Sequence, residues 1–356
     1  SPYELSNINL LEKSKKFKNN NWKNNKKYVL KVDGLASGKG VFLPHTKEEC
    51  ITTLEDLVIN KKYGKSSEHI IIEERLDGEE ISILGFCNGY DISFMPPTQD
   101  YKKIYDGDKG LNTGGMGCHS PVNTLNPDEI VNLREWLLPL IKEFQYKGVL
   151  YCGLMKTSNG LYVLEFNCRF GDPETQVILP LLDSSLYRIL AGCSQGISFS
   201  NINISWKVGF VSNVILSHKD YPISKSKDLL QITLPEDYNK NSSSNVKVYW
   251  SNVIINDGKY YTTGGRVCSL VSYHVDNYYE TLFKIYNYAK LFDYPGIYYR
   301  RDIGNNFLNY TSLEYKVNKN SKKMNIAVLG STNGTSLSGV LEYLYNNPIN
   351  NNINIS

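Results

Sequence analysis

The chain has 356 residues, enough for two or three domains of ordinary size, and its 41% hydrophobic and 21% charged content is that of a soluble globular protein. A net charge of +3, from 39 basic and 36 acidic side chains, is too small to argue for nucleic acid or an acidic membrane surface as a partner. No run of about 18 apolar residues marks a membrane span, and the lysine-rich start, residues 1–18, lacks the apolar centre of a signal peptide.

Seven cysteines (Cys50, Cys87, Cys118, Cys152, Cys168, Cys193 and Cys268) are scattered without a CxxC pair. They read as reduced, mostly buried thiols of a cytoplasmic protein, not as a zinc site. Asparagine runs such as 19–21 and 350–352 read as loop filler.

In chain order, residues 26–32 form a strand-like run ending in Asp33-Gly34, followed by a glycine-rich turn and a second short strand over 41–43. Residues 46–60 predict an amphipathic helix with acidic residues in its first turn. Compact β runs follow at 70–74 and 81–87, the latter broken by Asn88-Gly89. Residues 96–121, rich in Gly, Pro, Asp and Lys, show almost no periodicity and read as a working loop inside a domain. Asn126-Pro127-Asp128 opens a helix to about residue 146, and a hairpin pairs 149–156 with 161–166 around Ser158-Asn159-Gly160. Helices are predicted over 173–182 and 184–193. From about residue 198 to Arg301-Asp302 short strands with polar turns describe a small, mainly β region, with a helix at 278–291. Residues 314–323 read as a linker, and a strand over 325–329, a polar turn and a helix from about Leu337 as the start of a domain that is not present.

Several segments carry candidate chemistry. Asp33-Gly34-Leu35-Ala36-Ser37-Gly38-Lys39-Gly40 fails as a P-loop: its glycines are one residue too close, Gly40 stands where Ser or Thr would bind magnesium, and a strand follows. A strand–glycine loop–strand instead makes a flap over a triphosphate, with backbone N–H groups, Lys39 and the strand residue Lys31 neutralising charge. Glu73, Glu74, Leu76 and Glu80 follow a β run, where acidic residues can accept from a ribose. In Leu164-Glu165-Phe166-Asn167-Cys168-Arg169, Glu165 and Asn167 share one strand face, a pair of hard oxygen donors suited to Mg²⁺. Arg169 joins that face if the strand continues, as a holder of carboxylate or phosphate. Asp100 and Lys102 suit a small charged substrate, and the paired glycines of Asn112-Thr113-Gly114-Gly115-Met116-Gly117 let backbone amides approach an anion.

The ordered strings KVDGLASGKGV, IIEERLDGEEIS, TQDYKKIYDGDKGLNTGGMG, GLMKTSNGLYVLEFNCRFGDPETQ, TTGGRV and YRRDIG resemble the glycinamide ribonucleotide synthetase family over roughly residues 28–305. That resemblance implies an α+β ATP-grasp fold, in which two subdomains clamp the nucleotide, with a small mainly-β C-terminal domain. It implies ATP and Mg²⁺ (or Mn²⁺) as cofactors and glycine and phosphoribosylamine as substrates, joined through glycyl phosphate in purine biosynthesis. Lys31, Lys39, Gly38 and Gly40 would then contact ATP phosphates. Glu73, Glu74 and Leu76 would form the adenine hinge, and Glu80 would face the ribose. Glu165 and Asn167 would bind the metal. Arg169, Asp172 and the 112–117 loop, with Gly114 and Gly115, would lie around glycine and the transferred phosphoryl group. Tyr101 stands where the family has histidine. Residues 325–337, NIAVLGSTNGTSL, resemble the opening of glycinamide ribonucleotide formyltransferase, which implies a multifunctional polypeptide with other purine-pathway domains.

The expected organisation is a truncated N-terminal remnant (1–27, whose LEKSKKF resembles a family string), an ATP-grasp domain (28–197), a small β-rich domain (198–313), a linker (314–323) and an incomplete formyltransferase-like start (324–356). Two other readings stand beside the ligase: another ATP-grasp carboxylate–amine ligase, and a non-catalytic Mg-ATP-binding fragment.

Overall fold

The computed structural model describes residues 3–5, 27–34, 36, 40–122, 124–223, 225–236, 238, 245–305, 324–325 and 353–354. The chain divides into two compact units, Ser1–Gly78 and Glu79–Ser356.

The first unit is built on an antiparallel sheet of β1 (Tyr3–Leu5), β2 (Tyr28–Val32), β3 (Val41–Phe42) and β4 (Ile70–Glu74), in the order β1-β4-β2-β3. Helix α1 (Lys47–Val58) starts where expected because the Thr46 hydroxyl accepts from Glu49 N and Glu49 Oε2 accepts from His45 N. Its Cys50, Leu54 and Leu57, at helical spacing, pack on Leu30, Val32, Ile70 and Ile72. Each such aliphatic side chain contributes roughly 1.5–3 kcal/mol on burial.

In the second unit one antiparallel sheet has the order β12-β11-β5-β6, from β5 (Glu79–Asn88), β6 (Ile92–Phe94), β11 (Lys147–Thr157) and β12 (Gly160–Asn167). Helix α2 (Pro127–Glu143) opens with a reciprocal cap: Asn126 Oδ1 accepts from Glu129 N at 2.9 Å, and Glu129 Oε2 from Asn126 N at 3.1 Å. Leu133, Leu137 and Ile141 then cover one sheet face at Ile83, Cys87, Cys152 and Leu154. The other face, with Leu84, Phe86 and Tyr151, is covered by Ile178 of α3 (Thr175–Ile178) and by Ile189 and Cys193 of α4 (Leu186–Gln195). A strand buried on both faces cannot show alternation, which is why β5 reads as a continuous apolar run.

A second sheet has the order β15-β18-β13-β10-β7, with β19 (Ile297–Tyr298) also paired to β13. Its strands are β7 (Gln99–Asp100), β10 (Gly117–Ser120), β13 (Phe210–His218), β15 (Val246–Trp250) and β18 (Arg266–His274). Helix α5 (Tyr278–Ala289) packs Leu282, Ile285 and Ala289 against Val214, Leu216 and Leu270. A three-stranded sheet holds β14 (Lys225–Ile232), β17 (Lys259–Gly264) and β16 (Val253–Asn256), and β8 (Lys103–Tyr105) pairs with β9 (Lys109–Asn112).

Two expectations change. Residues 96–121 contain four short strands instead of an irregular loop; two to four residues are too few to display a period, and β10 is defined by partners in β13 almost a hundred positions away. The helix expected over 173–182 is a single α turn, α3, followed by a 3₁₀ turn at Leu179–Leu181. Across the boundary expected at 197/198, β10 pairs with β13 in one sheet. Residues 314–323 and 326–337, including nearly all of the expected formyltransferase-like opening, lie outside the described residues.

Six cysteines are buried and Cys168 is exposed. Burial pushes the Cys50 and Cys193 thiols up to about 11, and those of Cys87 and Cys152 to about 12. Among the described residues no helix is long and apolar enough to cross a membrane.

Candidate active site

The β11–β12 hairpin sets the direction of the two expected metal ligands. Directly opposed residues point to the same side of a sheet. Leu154 opposes Val163 and Cys152 opposes Phe166, whereas Gly153 opposes Glu165 and Tyr151 opposes Asn167. Leu164 is the extra residue of a bulge between these pairs. The bulge breaks the two-residue period, so Val163 faces the α2 core while Glu165 faces the opposite side. Phe166 stays on the α2 side, its ring 6.2 Å from Trp136. A Cβ on Gly153 would lie 3.1 Å from Glu165 Cγ, so the glycine leaves room for the carboxylate. Asn167 Nδ2 donates to Glu165 Oε1 at 3.2 Å.

Strand β5 adds Glu80 and Ser82 to this face, opposite Met155 and Gly153. Lys102, just after β7, forms an ion pair with Glu80. Burial alone would lower the Lys102 pKa, but the carboxylates of Glu80 and Asp100, with Glu165 beyond them, hold it above its ordinary value. Asp100 is driven the other way: burial and the neighbouring Glu174 push its carboxyl well above the usual range. Its Oδ1 is buried with no hydrogen-bond partner among the described residues. Glu174 is itself raised by burial, although Tyr151 Oη at 3.0 Å and Ser82 Oγ at 3.4 Å donate to its Oε1.

Arg266, at the start of β18, ties the glycine loop to the turn after β12. Its Nη2 donates to Asp172 Oδ2 at 2.6 Å, and its Nη1 to the main-chain oxygens of Gly114 (2.6 Å) and Asp172 (3.2 Å). Gln176 Nε2 holds the other Asp172 oxygen at 2.8 Å. The amides expected to face an anion already have protein partners: Gly114 N donates to Tyr221 Oη at 2.8 Å and Gly115 N to Thr113 Oγ1 at 3.0 Å. The glycines are needed for packing. Gly115 has φ +106°, and a Cβ there would sit 2.5 Å from Pro173 Cδ and 2.7 Å from Asp100 Oδ1.

The second unit therefore brings Glu80, Asp100, Lys102, Gly114, Gly115 and Asp172 into one connected network, with Glu165 and Asn167 on the adjoining face. Arg169 departs from its expected place: β12 ends at Asn167, and the exposed Arg169 bonds the Phe170 carbonyl at 2.9 Å. In the first unit, Lys31 of β2 pairs with Glu73 of β4 at 2.6 Å. Glu74 ends β4, Leu76 is half-buried beyond it, and Gly40 O accepts from Val32 N at 2.9 Å where the flap returns to its strand. Gly38 and Lys39 lie outside the described residues.

Among the described residues no three His, Cys, Asp or Glu side chains converge as a metal cage. Glu165 and Asn167 nonetheless fit Mg²⁺, which uses one or two protein oxygens and fills its octahedron with water and phosphate. Sequence reasoning missed Arg266, Glu174, Tyr151, Ser82 and Tyr221. Arg266, Glu174 and Ser82 were visible inside TTGGRV, GDPETQ and IIEERLDGEEIS, but Tyr151 and Tyr221 lie outside those strings and join the network through contacts distant in sequence.

Two family models match, one described as the ATP-grasp (A) domain of phosphoribosylglycinamide synthetase over residues 3–175 and one as its C domain over 211–306. A crystal structure of phosphoribosylamine–glycine ligase from Thermotoga maritima is similar at TM-score 0.68 and 32% identity, covering 85% of this chain and 73% of that one. The chain belongs to the phosphoribosylglycinamide synthetase family. Its fold is accordingly ATP-grasp, of the α+β class. The same fold is seen in the biotin carboxylase domain of 2-oxoglutarate carboxylase from Hydrogenobacter thermophilus, in complex with MgADP (TM-score 0.60, 12% identity, 82% of this chain and 62% of that one). Among curated relatives, the bifunctional purine biosynthetic protein purD of Dictyostelium discoideum is 36% identical over 84% of this chain. The chain spans 40% of that relative's length.

Proposed function

We propose that the protein carrying this chain is a phosphoribosylamine–glycine ligase: it joins glycine to 5-phosphoribosylamine with ATP, through glycyl phosphate, in purine biosynthesis. The observation that carries the reading is the bulge-directed Glu165–Asn167 face beside the Lys102–Glu80 pair. It supplies hard oxygens and a fixed ammonium in one neighbourhood, the components that phosphoryl transfer to a carboxylate requires. Mg²⁺ held by Glu165 and Asn167 would neutralise charge on the phosphates. Lys102 adds positive charge near the transferred group, and the Arg266–Asp172 pair fixes the turn and the glycine loop. The chemistry rests on positioning and charge neutralisation, so no side-chain nucleophile is invoked.

Roles for Lys31, Lys39, Gly38, Gly40, Glu73, Glu74 and Leu76 in holding ATP, and for Glu80 at its ribose, rest on the family resemblance, as do the glycine-side roles of Arg169, Asp172, Gly114 and Gly115; Asp100 joins them as a contact for a small charged substrate. The reading extends to a cytoplasmic, multifunctional polypeptide. It is supported by the string at residues 325–337 and by the bifunctional relative.

The test is a mass-spectrometric search for glycinamide ribonucleotide after incubation with Mg-ATP, glycine and phosphoribosylamine generated in situ. Product that disappears in Glu165→Ala supports the ligase. ATP binding without product, in this chain and in a longer form of the protein, would overturn it.

A further inference from the structure

Arg300 is completely buried, an unusual position for a guanidinium. Two aspartates surround it. Nε and Nη2 donate to Asp302 Oδ1 and Oδ2, each at 2.7 Å, and Nη1 donates to Asp108 Oδ1 at 2.9 Å. Burial disfavours the ionised Asp302, yet hydrogen bonds from Arg300 and from Gly107 N hold its carboxyl below the ordinary range. Nη1 also donates to the Lys103 carbonyl at 3.0 Å, and the guanidinium carbon lies 5.1 Å from the centre of the Tyr101 ring. Arg300 thus grips the residues on both sides of Lys102.

The tip of the β8–β9 hairpin is fastened to the same turn. Gly107 N donates to Asp302 Oδ2 at 2.8 Å, and Asp106 Oδ1 accepts from Arg301 N at 2.9 Å. Asp108 has φ +53°, a conformation that costs a non-glycine residue energy and persists where neighbours enforce it. The far end of the segment is pinned at Lys102, whose carbonyl accepts from both the amide and the hydroxyl of Thr113 at 2.8 Å. A lysine has four rotatable side-chain bonds, so a fixed ammonium needs a fixed backbone beneath it.

We propose that Arg300 is a positioning residue for the ligation, an inference that rests on the ligase reading. By holding the Tyr101 ring and the Lys103 carbonyl it sets the backbone that presents Asp100 and Lys102, and so governs the small carboxylate substrate; Glu80, on the nucleotide side of Lys102, is held separately by the pairing of β5 with β11. Asp108 and Asp302 serve as its counter-charges, and Tyr101 provides the aromatic platform.

Arg300→Lys, Tyr101→Phe and Tyr101→Leu in the full chain test this. Amide exchange is followed over residues 103–112, 210–218 and 278–289, and KM for glycine and for Mg-ATP are measured separately. Arg300→Lys is expected to lose protection at 103–112 alone and to raise the glycine KM at least tenfold, with the Mg-ATP KM within twofold. Tyr101→Phe, which keeps the ring, is expected to match the parent protein, and Tyr101→Leu to move toward Arg300→Lys. Unchanged exchange at 103–112, equal loss in all three segments, or a joint rise of both KM values would overturn the proposal. A parent protein that makes no product counts against the ligase reading instead, and the exchange pattern then decides the positioning role.

Discussion

Arg266 and Asp172 stand 94 positions apart in sequence and meet at 2.6 Å, with the same guanidinium also holding the Gly114 carbonyl. One side chain therefore fixes the turn after β12 and the glycine loop together. The arrangement depends on a fork of donors spaced to reach three oxygens, which an ammonium cannot reproduce.

Arg266→Lys is accordingly expected to lower kcat/KM by at least tenfold, about 1.4 kcal/mol or more of transition-state stabilisation. Asp172→Asn keeps the shape and one acceptor oxygen and is expected to cost less. Steady-state kinetics at saturating Mg-ATP check the order. Equal activity of Arg266→Lys and the parent protein would show that the bridge is ornamental to the reaction.

Glu165 and Asn167 make a second prediction. If the proposed Mg²⁺ site is right, removing either oxygen weakens charge neutralisation directly, so Glu165→Ala and Asn167→Ala are each expected to lower turnover by roughly a hundredfold or more. Added Mg²⁺ or Mn²⁺ should restore part of it in Asn167→Ala, where the carboxylate remains. Glu165 is exposed and Asn167 half-buried near the end of β12, so thermal stability should change little. A metal titration of activity separates the two variants.

The same strand shows what the sequence could and could not reveal. The separation of two between Glu165 and Asn167 was enough to place them on one face, because it lies beyond the bulge. The bulge at Leu164 was not legible, since two-versus-one pairing is a property of both strands and Leu is not a bulge-marking residue. Helices α1 and α2 were legible because their caps, Thr46 and Asn126, and their apolar spacing are local signals. Arg169 was misplaced because the strand ends at Asn167, and the bend there has no proline or glycine before Gly171 to announce it. The glycine pair reads in the sequence as an approach for an anion; its steric constraint, Gly115 against Pro173 and Asp100 and Gly114 against Tyr221 and Arg266, arises from residues distant in sequence and was not legible.

That steric constraint gives a third prediction. Gly115→Ala must adopt φ +106° and push its methyl against Pro173 and the buried Asp100 oxygen. The backbone strain alone costs about 1–3 kcal/mol, and relief of the clash would move the loop away from Asp172. A lower midpoint in urea with an unchanged m-value, together with a fall in activity larger than the unfolded fraction explains, is the expected result. Gly160→Ala is the control: its φ is also positive, at +129°, but no neighbour lies within 4 Å of the added methyl.

The last prediction concerns acid. His119 is buried in β10, with its ring 5.9 Å from Tyr101 and 5.6 Å from Tyr278, and burial pushes its pKa down to about 3. The unfolded chain takes up a proton on this histidine near its ordinary value of 6.5, whereas the folded chain does so only near 3. Between those values the unfolded state binds more protons. The stability associated with neutral His119 is therefore fully present above pH 6.5 and is lost as the pH falls toward 3. The loss approaches roughly 1.4 kcal/mol for each pH unit below 6.5. His119→Phe keeps an aromatic ring between the two tyrosines and removes the titration. Compared with the parent protein, its stability should fall less steeply from pH 6.5 to pH 4.5, the difference widening by about 2–3 kcal/mol over that span. Parallel pH profiles of the two proteins in urea denaturation would mean that His119 does not contribute to the acid sensitivity of the fold.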